Sequence, residues 1–263
     1  WLKLCVASVA DQGVSAQHIV QDAGSDDGTL GWLLQDDRVC ASVERDSGMY
    51  DAINRGLRKA SGDILSYLNC DEQYLPGILP KVQAYFRDHL DVDVLFTDSI
   101  VVNDSGEYIC HRKASKPTLL HTLVSGNLSV LTCGCFFRRE ILDRHGLYFD
   151  SSFRVLGDAE WISRMIRSGV RVAVMRAFTS VFTKTGLNLS LSPQASDERQ
   201  KLQLHAPAWA RLAKPLVILA YRAKKALAGH YLQAPFEYSV FTRSSPCTRM
   251  SFSVRKPTHR WVP

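Results

Sequence analysis

Strand-length apolar runs alternate with helix-length segments over roughly the first 100 residues, and this alternation restricts the chain to an α/β architecture. Residues 2–9 have the spacing of an amphipathic helix that stops at Asp11-Gln12-Gly13. Residues 17–21 read as a strand, 29–35 as a helix, 39–44 as a strand, 50–60 as a helix closed by Ser61-Gly62, and 63–68 as a strand. A helix over 80–89 and a strand over 93–97, followed by Asp98, continue the series. The alternation predicts a mainly parallel, Rossmann-like sheet with helices on both faces. After it the pattern changes. Asn103-Asp104-Ser105-Gly106 is a hairpin signal between 100–102 and 107–111. A strand over 131–137 runs into Arg138-Arg139-Glu140, and a helix from Gly157 to Ser168 precedes a strand at 170–175. From about Ser192 the text is helical and basic, then Pro-containing and irregular.

The 263 residues are 46% hydrophobic and 22% charged, the composition of an ordinary soluble protein with a sizeable core. The net charge of +6 hides an asymmetry. Residues 201–263 hold eleven Lys/Arg and one acid, Glu237, so that segment carries +10 and the remainder −4. Seven cysteines at 5, 40, 70, 110, 133, 135 and 247 lack the paired spacing of a disulfide framework or a zinc site. Reduced thiols in a cytoplasmic compartment are expected, with Cys133 and Cys135 packed in a strand. No uncharged apolar stretch approaches the ~20 residues needed to span a bilayer; residues 215–221 are the longest candidate and run directly into Arg222. With Trp1 in first place, the chain is expected to be a fragment lacking its true N-terminus.

Four polar constellations sit at strand exits or helix starts. The loop Asp22-Ala23-Gly24-Ser25-Asp26-Asp27-Gly28-Thr29 has small residues that admit a ligand to the backbone. Its carboxylates would repel phosphate, so it suits a base or ribose; an Asp/Ser turn capping the next helix is the competing reading. Residues 44–56 carry polar groups off a strand into a helix, where Arg45 or Arg55 could meet a diphosphate or lie on a solvated face. The run Ile64-Leu65-Ser66-Tyr67-Leu68 ends in Asn69-Cys70-Asp71-Glu72, which offers oxygen ligands to a divalent metal or forms an acidic turn. Last, Asp158 follows Gly157 at a helix start, as a catalytic group or an N-cap. Asp158 and Glu160 are two apart and do not share a helix face.

In order and spacing, these residues resemble the family 2 inverting glycosyltransferases of GT-A fold. The resemblance is carried by residues 17–29, by Asp46-Ser47-Gly48-Met49-Tyr50-Asp51-Ala52-Ile53-Asn54-Arg55-Gly56, by residues 61–72, and by Gly157-Asp158-Ala159-Glu160-Trp161, and it runs to about Ser190. It implies a hexosyltransferase-like enzyme that moves a sugar from a nucleotide-diphosphate donor to an acceptor hydroxyl, using Mg²⁺ or Mn²⁺. Asp22, Asp27, Asp46, Asn54 and Asn69 fall at nucleotide-sugar-binding positions. Asn69 replaces the first acid of the family's Asp-X-Asp motif, so Asp71, with Glu72 beside it, becomes the expected metal carboxylate. Asp158 matches the general base, and Arg138, Glu160 and Trp161 are candidate acceptor or phosphate contacts. Gly186-Leu187-Asn188-Leu189-Ser190 resembles the family's closing Gly-Gly-X-Ser turn. The family's first strand is absent, which predicts a poorly stable or inactive fragment.

The chain thus divides into a GT-A domain over 1–190 and a basic helical extension over 191–263. In the extension, Trp209, Leu212, Leu216, Ile218, Leu219 and Leu227 interleave with Arg211, Lys214, Arg222, Lys224 and Lys225, as in a helix lying on an anionic membrane surface. That would suit a saccharide or polyprenyl-linked acceptor in cell-surface polysaccharide or glycolipid synthesis at the inner membrane face. A helix packed on the domain with its Lys/Arg stems outward is the alternative. Two other functions compete. A sugar-phosphate nucleotidyltransferase needs a basic triphosphate loop, and the loop at 22–29 is acidic. A nucleic-acid-binding protein would carry a motif with its charge, and none accompanies the basic tail.

Overall fold

β5 (Val94–Val102) is buried along its whole length, because Val, Leu, Phe and Ile face both sides of the sheet while Thr97, Asp98 and Ser99 bond across it. In this computed structural model, which describes residues 1–186 and 193–261, β5 is the centre of a six-stranded sheet. β8 (Val172–Thr183) runs parallel along one side of it. Along the other side lie β7 (Cys135–Arg138) and then β6 (Tyr108–Arg112), both antiparallel. β3 (Ile64–Leu65) extends the sheet beyond β7, and β4 (Glu72–Tyr74) beyond β8. The β3–β4 connection is too short for a crossover helix, so β4 joins the far side antiparallel. The expected α/β architecture is present, but its ladders are mixed: β5–β8 is parallel, and the other pairings of this sheet are antiparallel.

A second, two-stranded sheet pairs β1 (Ile19–Asp22) with β2 (Cys40–Val43) in parallel. Among the described residues no strand bonds this pair to the larger sheet. α1 (Leu2–Ala10) and α2 (Thr29–Leu33) cover it through Val6, Val20 and Leu33. α3 (Met49–Lys59) turns Tyr50 and Leu57 into the main core, where they meet Phe137, Phe149 and Trp161. α4 (Ile78–Asp88) packs on the opposite face of the sheet. α5 (Leu119–Ser125), α6 (Glu140–His145) and α7 (Gly157–Arg167) complete the first part of the chain.

The extension contains α8 (Pro193–Leu204), α9 (Ala208–Leu212) and α10 (Lys214–Leu227), and then departs from the irregular tail expected there. β9 (Phe236–Thr242) and β10 (Ser245–Val254) form an antiparallel hairpin. Tyr238, Val240 and Val254 enter the same core as Leu95, Ile100 and Phe136. The Gln73 side-chain amide donates to Phe241 O and accepts from Phe241 N, both at 2.9 Å, and so acts as one more rung of β9. The hairpin also closes over Gly106, where a Cβ would lie 2.9 Å from Thr242 Cγ2 and the backbone has φ of +84°. The boundary at 190/191 and most of the Gly186–Ser190 turn lie outside the described residues.

Candidate functional site

The first two loops fold around their own carboxyl groups. Asp22 at the end of β1 accepts from Gly24 N at 2.8 Å, Ser25 N at 2.7 Å and Ser25 Oγ at 2.8 Å. Burial pushes this carboxyl up, but the bonds from Ser25 and Gly24 outweigh it and hold it below the ordinary value. Asp27 is exposed and accepts Thr29 N at 3.0 Å, an Asx-type turn just ahead of α2, whose N-cap is Gly28. Asp46 Oδ1 accepts Gly48 N at 3.0 Å. Arg55 pairs with Glu44 at 2.8 Å and Asp51 at 3.2 Å, which is the solvated helix face rather than a diphosphate contact.

The second and fourth constellations meet at Tyr50. Its hydroxyl donates to Val155 O at 3.0 Å and accepts Asp158 N at 3.2 Å, tying the start of α3 to the start of α7. A Cβ on Gly157 would sit 2.6 Å from the Tyr50 ring, so the close approach requires glycine there. Asp158 lies inside the first turn of α7, with Leu156 at the N-cap. Burial pushes its carboxyl up to about 6, against bonds from the Ala159 and Asp158 amides and from Tyr50, and the charge of Glu198 adds to the rise.

Glu198, on α8, is 5% exposed and was not singled out in the sequence. Its Oε1 accepts Arg154 N at 2.6 Å, and its Oε2 accepts Val155 N at 2.9 Å and Leu156 N at 2.8 Å. One side chain from the extension therefore fixes the three residues that lead into Gly157-Asp158. No local pattern marks it.

At the strand exit, Asn69 N donates to Glu72 Oε2 at 2.7 Å and Glu72 N donates back to Asn69 O at 3.0 Å. The expected metal pair divides here. Glu72 is 1% exposed, and burial first, with Asp71 adding, pushes its carboxyl up to about 8. With Glu72 Oε2 spent on Asn69 N beneath its own loop, Asp71 is the carboxylate of the pair that is open to a metal. Asp71 is half-buried, and burial raises it too. Among the described residues no three His, Cys, Asp or Glu side chains group as a metal cage. The donor set that remains is Asp71 alone, which fits a Mg²⁺-type ion held by one carboxylate and substrate phosphates. Tyr67 joins this corner to Asp158: its ring lies edge-on to Phe149 at 5.4 Å, and its hydroxyl, raised chiefly by burial, also feels the charge of Asp158.

Other expected contacts belong to the scaffold. Asn54 is 4% exposed, and its amide is spent on Phe149 N and O, both at 2.8 Å, so it does not face a nucleotide. Trp161 is 2% exposed, stacks on Phe149 at 5.0 Å and donates to Leu147 O, which makes it core rather than an acceptor contact. Arg138 donates to Val92 O at 2.8 Å and Phe86 O at 2.7 Å, tying β7 to the end of α4. Glu160 pairs with Arg164 at 2.6 Å along α7. A cavity of about 870 Å³ between α1, α2 and the C-terminal hairpin, lined by Lys3, Trp32, Arg38 and Phe241 among others, touches none of the site residues.

The model of Glycosyl transferase family 2 matches residues 1–146. A PGL/p-HBAD biosynthesis glycosyltransferase of Mycobacterium tuberculosis (strain ATCC 25177 / H37Ra) is 28% identical over 168 residues, covering 60% of this chain and 61% of the relative. An uncharacterized glycosyltransferase of M. tuberculosis (strain ATCC 25618 / H37Rv) is 27% identical over 197 residues, 72% of each chain. The chain thus spans about 61% of the length of the first of these relatives. Among solved structures, S. aureus TarS 1–349 in complex with UDP-GlcNAc superposes with a TM-score of 0.60 at 19% identity, over 77% of this chain and 60% of that one. That likeness is one of fold.

Proposed function

The chain belongs to glycosyl transferase family 2, and from that premise we propose that it transfers a sugar from a nucleoside-diphosphate donor to an acceptor hydroxyl with inversion, using Asp158 as general base. The observation that carries this reading is the state of Asp158. A carboxyl group pushed up to about 6 by burial is matched to taking a proton near neutral pH. Tyr50 and Glu198 hold the backbone around it, and its Oδ1 accepts Ala159 N at 2.8 Å.

The loop of Asp22 to Thr29 would receive the nucleoside through its backbone, because Asp22 is bonded inward and shapes the loop. Asp46 and Asn69 would meet the donor from the neighbouring loops. TarS 1–349 is described in complex with UDP-GlcNAc, which supports a nucleotide-sugar donor here. Asp71 would hold a divalent metal together with the donor's phosphates, and such an ion, when bound, neutralises charge on the leaving diphosphate.

We place the reaction at the inner face of a membrane, in cell-surface polysaccharide or glycolipid synthesis. No described helix is long and apolar enough to cross a bilayer. Support comes from the extension, where Trp209 is 58% exposed, Leu212 86%, Leu216 67% and Leu219 63%, spaced by three or four residues along α9 and α10. Arg211, Arg222 and Lys224 are exposed around this ridge, with no acid between residues 199 and 236. Apolar anchors ringed by cations suit an anionic surface.

The test is a screen of nucleoside-diphosphate sugars, with and without Mg²⁺ or Mn²⁺, for binding and for acceptor-dependent release of nucleoside diphosphate. Binding of one donor with release blocked in Asp158→Asn supports the reading. Absence of binding to any donor would sink it.

A further inference from the structure

On the side of β6, a pocket of about 40 Å³ is lined by His111, Arg112, Lys113, Lys225, His230, His259 and one tyrosine, Tyr231. Six of its seven lining residues are cationic or imidazole side chains, and none is acidic. They come from three distant stretches of the chain: β6 and its exit, the end of α10 with the turn after it, and the segment following β10. Gathering cations in a half-buried space is unfavourable unless an opposite charge answers them.

The protein supplies little of that charge. Asp98 is within reach, but its Oδ1 already accepts Arg176 Nη1 at 2.9 Å and Ala114 N at 2.7 Å. Arg176 also donates to His230 Nε2 at 2.7 Å, and His230 Nδ1 bonds Ser115 Oγ at 3.0 Å. Lys113 Nζ reaches Leu232 O at 2.6 Å. Among the described residues Lys225 has no carboxylate within ion-pair distance, and its ammonium lies 5.9 Å from the Tyr221 ring centroid. Burial first, then Arg112 and Arg176, draw its ammonium down to about 8.

A second, independent observation comes from His111, which is 1% exposed. Its Nδ1 is bonded to Tyr108 Oη at 3.0 Å, and that hydroxyl donates onward to Thr258 O at 2.8 Å. Nδ1 is therefore the donor, and among the described residues Nε2 is buried without a hydrogen bond of full geometry, the ring's remaining polar neighbour being the His230 backbone. A cluster of cations beside a buried imidazole nitrogen so poorly paired asks for a ligand with several acceptor oxygens and one proton. A phosphate group in its singly protonated form has both.

We propose that this pocket is a binding site for a phosphate group, separate from the donor site, held by Lys225 and Arg112 with His111 Nε2 meeting the phosphate hydroxyl. The same chemistry is offered by free phosphate and by a phosphate monoester headgroup of a lipid. Lys225 stands on the helix whose exposed Leu216 and Leu219 form the apolar ridge.

The experiment is thermal denaturation of the full chain, titrated with sodium phosphate against sodium chloride of equal ionic strength. A parallel arm uses flotation with phosphatidylcholine vesicles carrying phosphatidic acid. The variants are Lys225→Met, which keeps the apolar stem, and Arg112→Gln. Phosphate is expected to raise the melting temperature saturably, with affinity falling about tenfold or more in either variant. Lys225→Met by itself should melt no lower than the parent in chloride, because it removes an unanswered buried charge; a lower value leaves Arg112→Gln to decide. Saturation by inorganic phosphate identifies a free-phosphate site. Variant-sensitive flotation without it identifies a headgroup site, and either result supports the pocket. A phosphate effect of equal size in the parent and both variants, or no variant-sensitive response to either probe, overturns it.

Discussion

Glu198 Oε2 accepts the backbone N–H of Leu156 at 2.8 Å, so a residue of the C-terminal extension is bonded two positions ahead of Asp158. With Arg154 N and Val155 N on the same carboxyl group, Glu198 satisfies three consecutive donors that the loop cannot satisfy itself. Glu198→Gln replaces an acceptor oxygen with an amide that opposes those donors. The expected result is a loss of about 1–3 kcal/mol of stability, read from denaturant midpoints, together with a fall in sugar transfer larger than the fall in donor affinity. Unchanged transfer in a fully folded variant would show that the loop holds its shape without this contact.

The rise of Asp158 to about 6 predicts the acid limb of the pH profile. As a base it must be deprotonated, so kcat/KM is expected to fall about tenfold per pH unit below that value. Asp158→Asn should reduce transfer by roughly 10²–10⁴-fold and leave donor binding nearly intact. A profile flat down to pH 5 would remove Asp158 from the role.

Glu72 carries a stability prediction of its own. Its folded value of about 8 exceeds the ordinary 4.5, so the folded state holds a proton that the unfolded state has released. That contribution is fully present below pH 4.5 and is lost as pH rises towards 8, at a slope of up to about 1.4 kcal/mol per unit. Glu72→Gln should flatten this dependence and melt higher than the parent at pH 8. Calorimetry at pH 5 and pH 8 reads the difference directly, and parallel pH dependences would mean that Glu72 is not the titrating group.

Membrane contact is best probed by point changes, because the extension contributes core residues and cannot be removed cleanly. Leu216→Ser with Leu219→Ser should lower flotation with phosphatidylglycerol vesicles several-fold while the melting temperature holds, since both side chains are more than half exposed. Equal flotation of variant and parent would argue for a solvated helix instead.

The sequence made the strand-to-helix loops legible because their signals are local: an acid, a small residue, then an amphipathic stretch. Asp22 and Asp46 fall at such junctions, whereas Asp71 leaves β3 for a second strand and Asp158 opens a helix that follows α6. Their partners were not legible. Tyr50 looks like the first apolar residue of a helix, and only the fold brings it against Gly157, far along the chain. Asn54 and Trp161 lie within recognisable motifs, yet they spend their polar atoms on Phe149 and Leu147. Glu72 shows the same limit: adjacency to Asp71 suggests a shared metal, whereas successive residues entering a strand point to opposite faces. The β9–β10 hairpin was hidden by its Ser, Arg and Pro content, although Phe236, Tyr238 and Val240 already alternate at period two. β5 outran its expected end at Thr97 because Asp98 and Ser99 find buried partners on strands the sequence could not assign to them.

The paired bonds between Gln73 and Phe241 span 168 residues of sequence. A link of that reach, at the edge of a shared core, means that neither end of the chain can melt without exposing an unsatisfied group on the other. The protein should therefore absorb heat in one calorimetric transition, with calorimetric and van 't Hoff enthalpies in agreement.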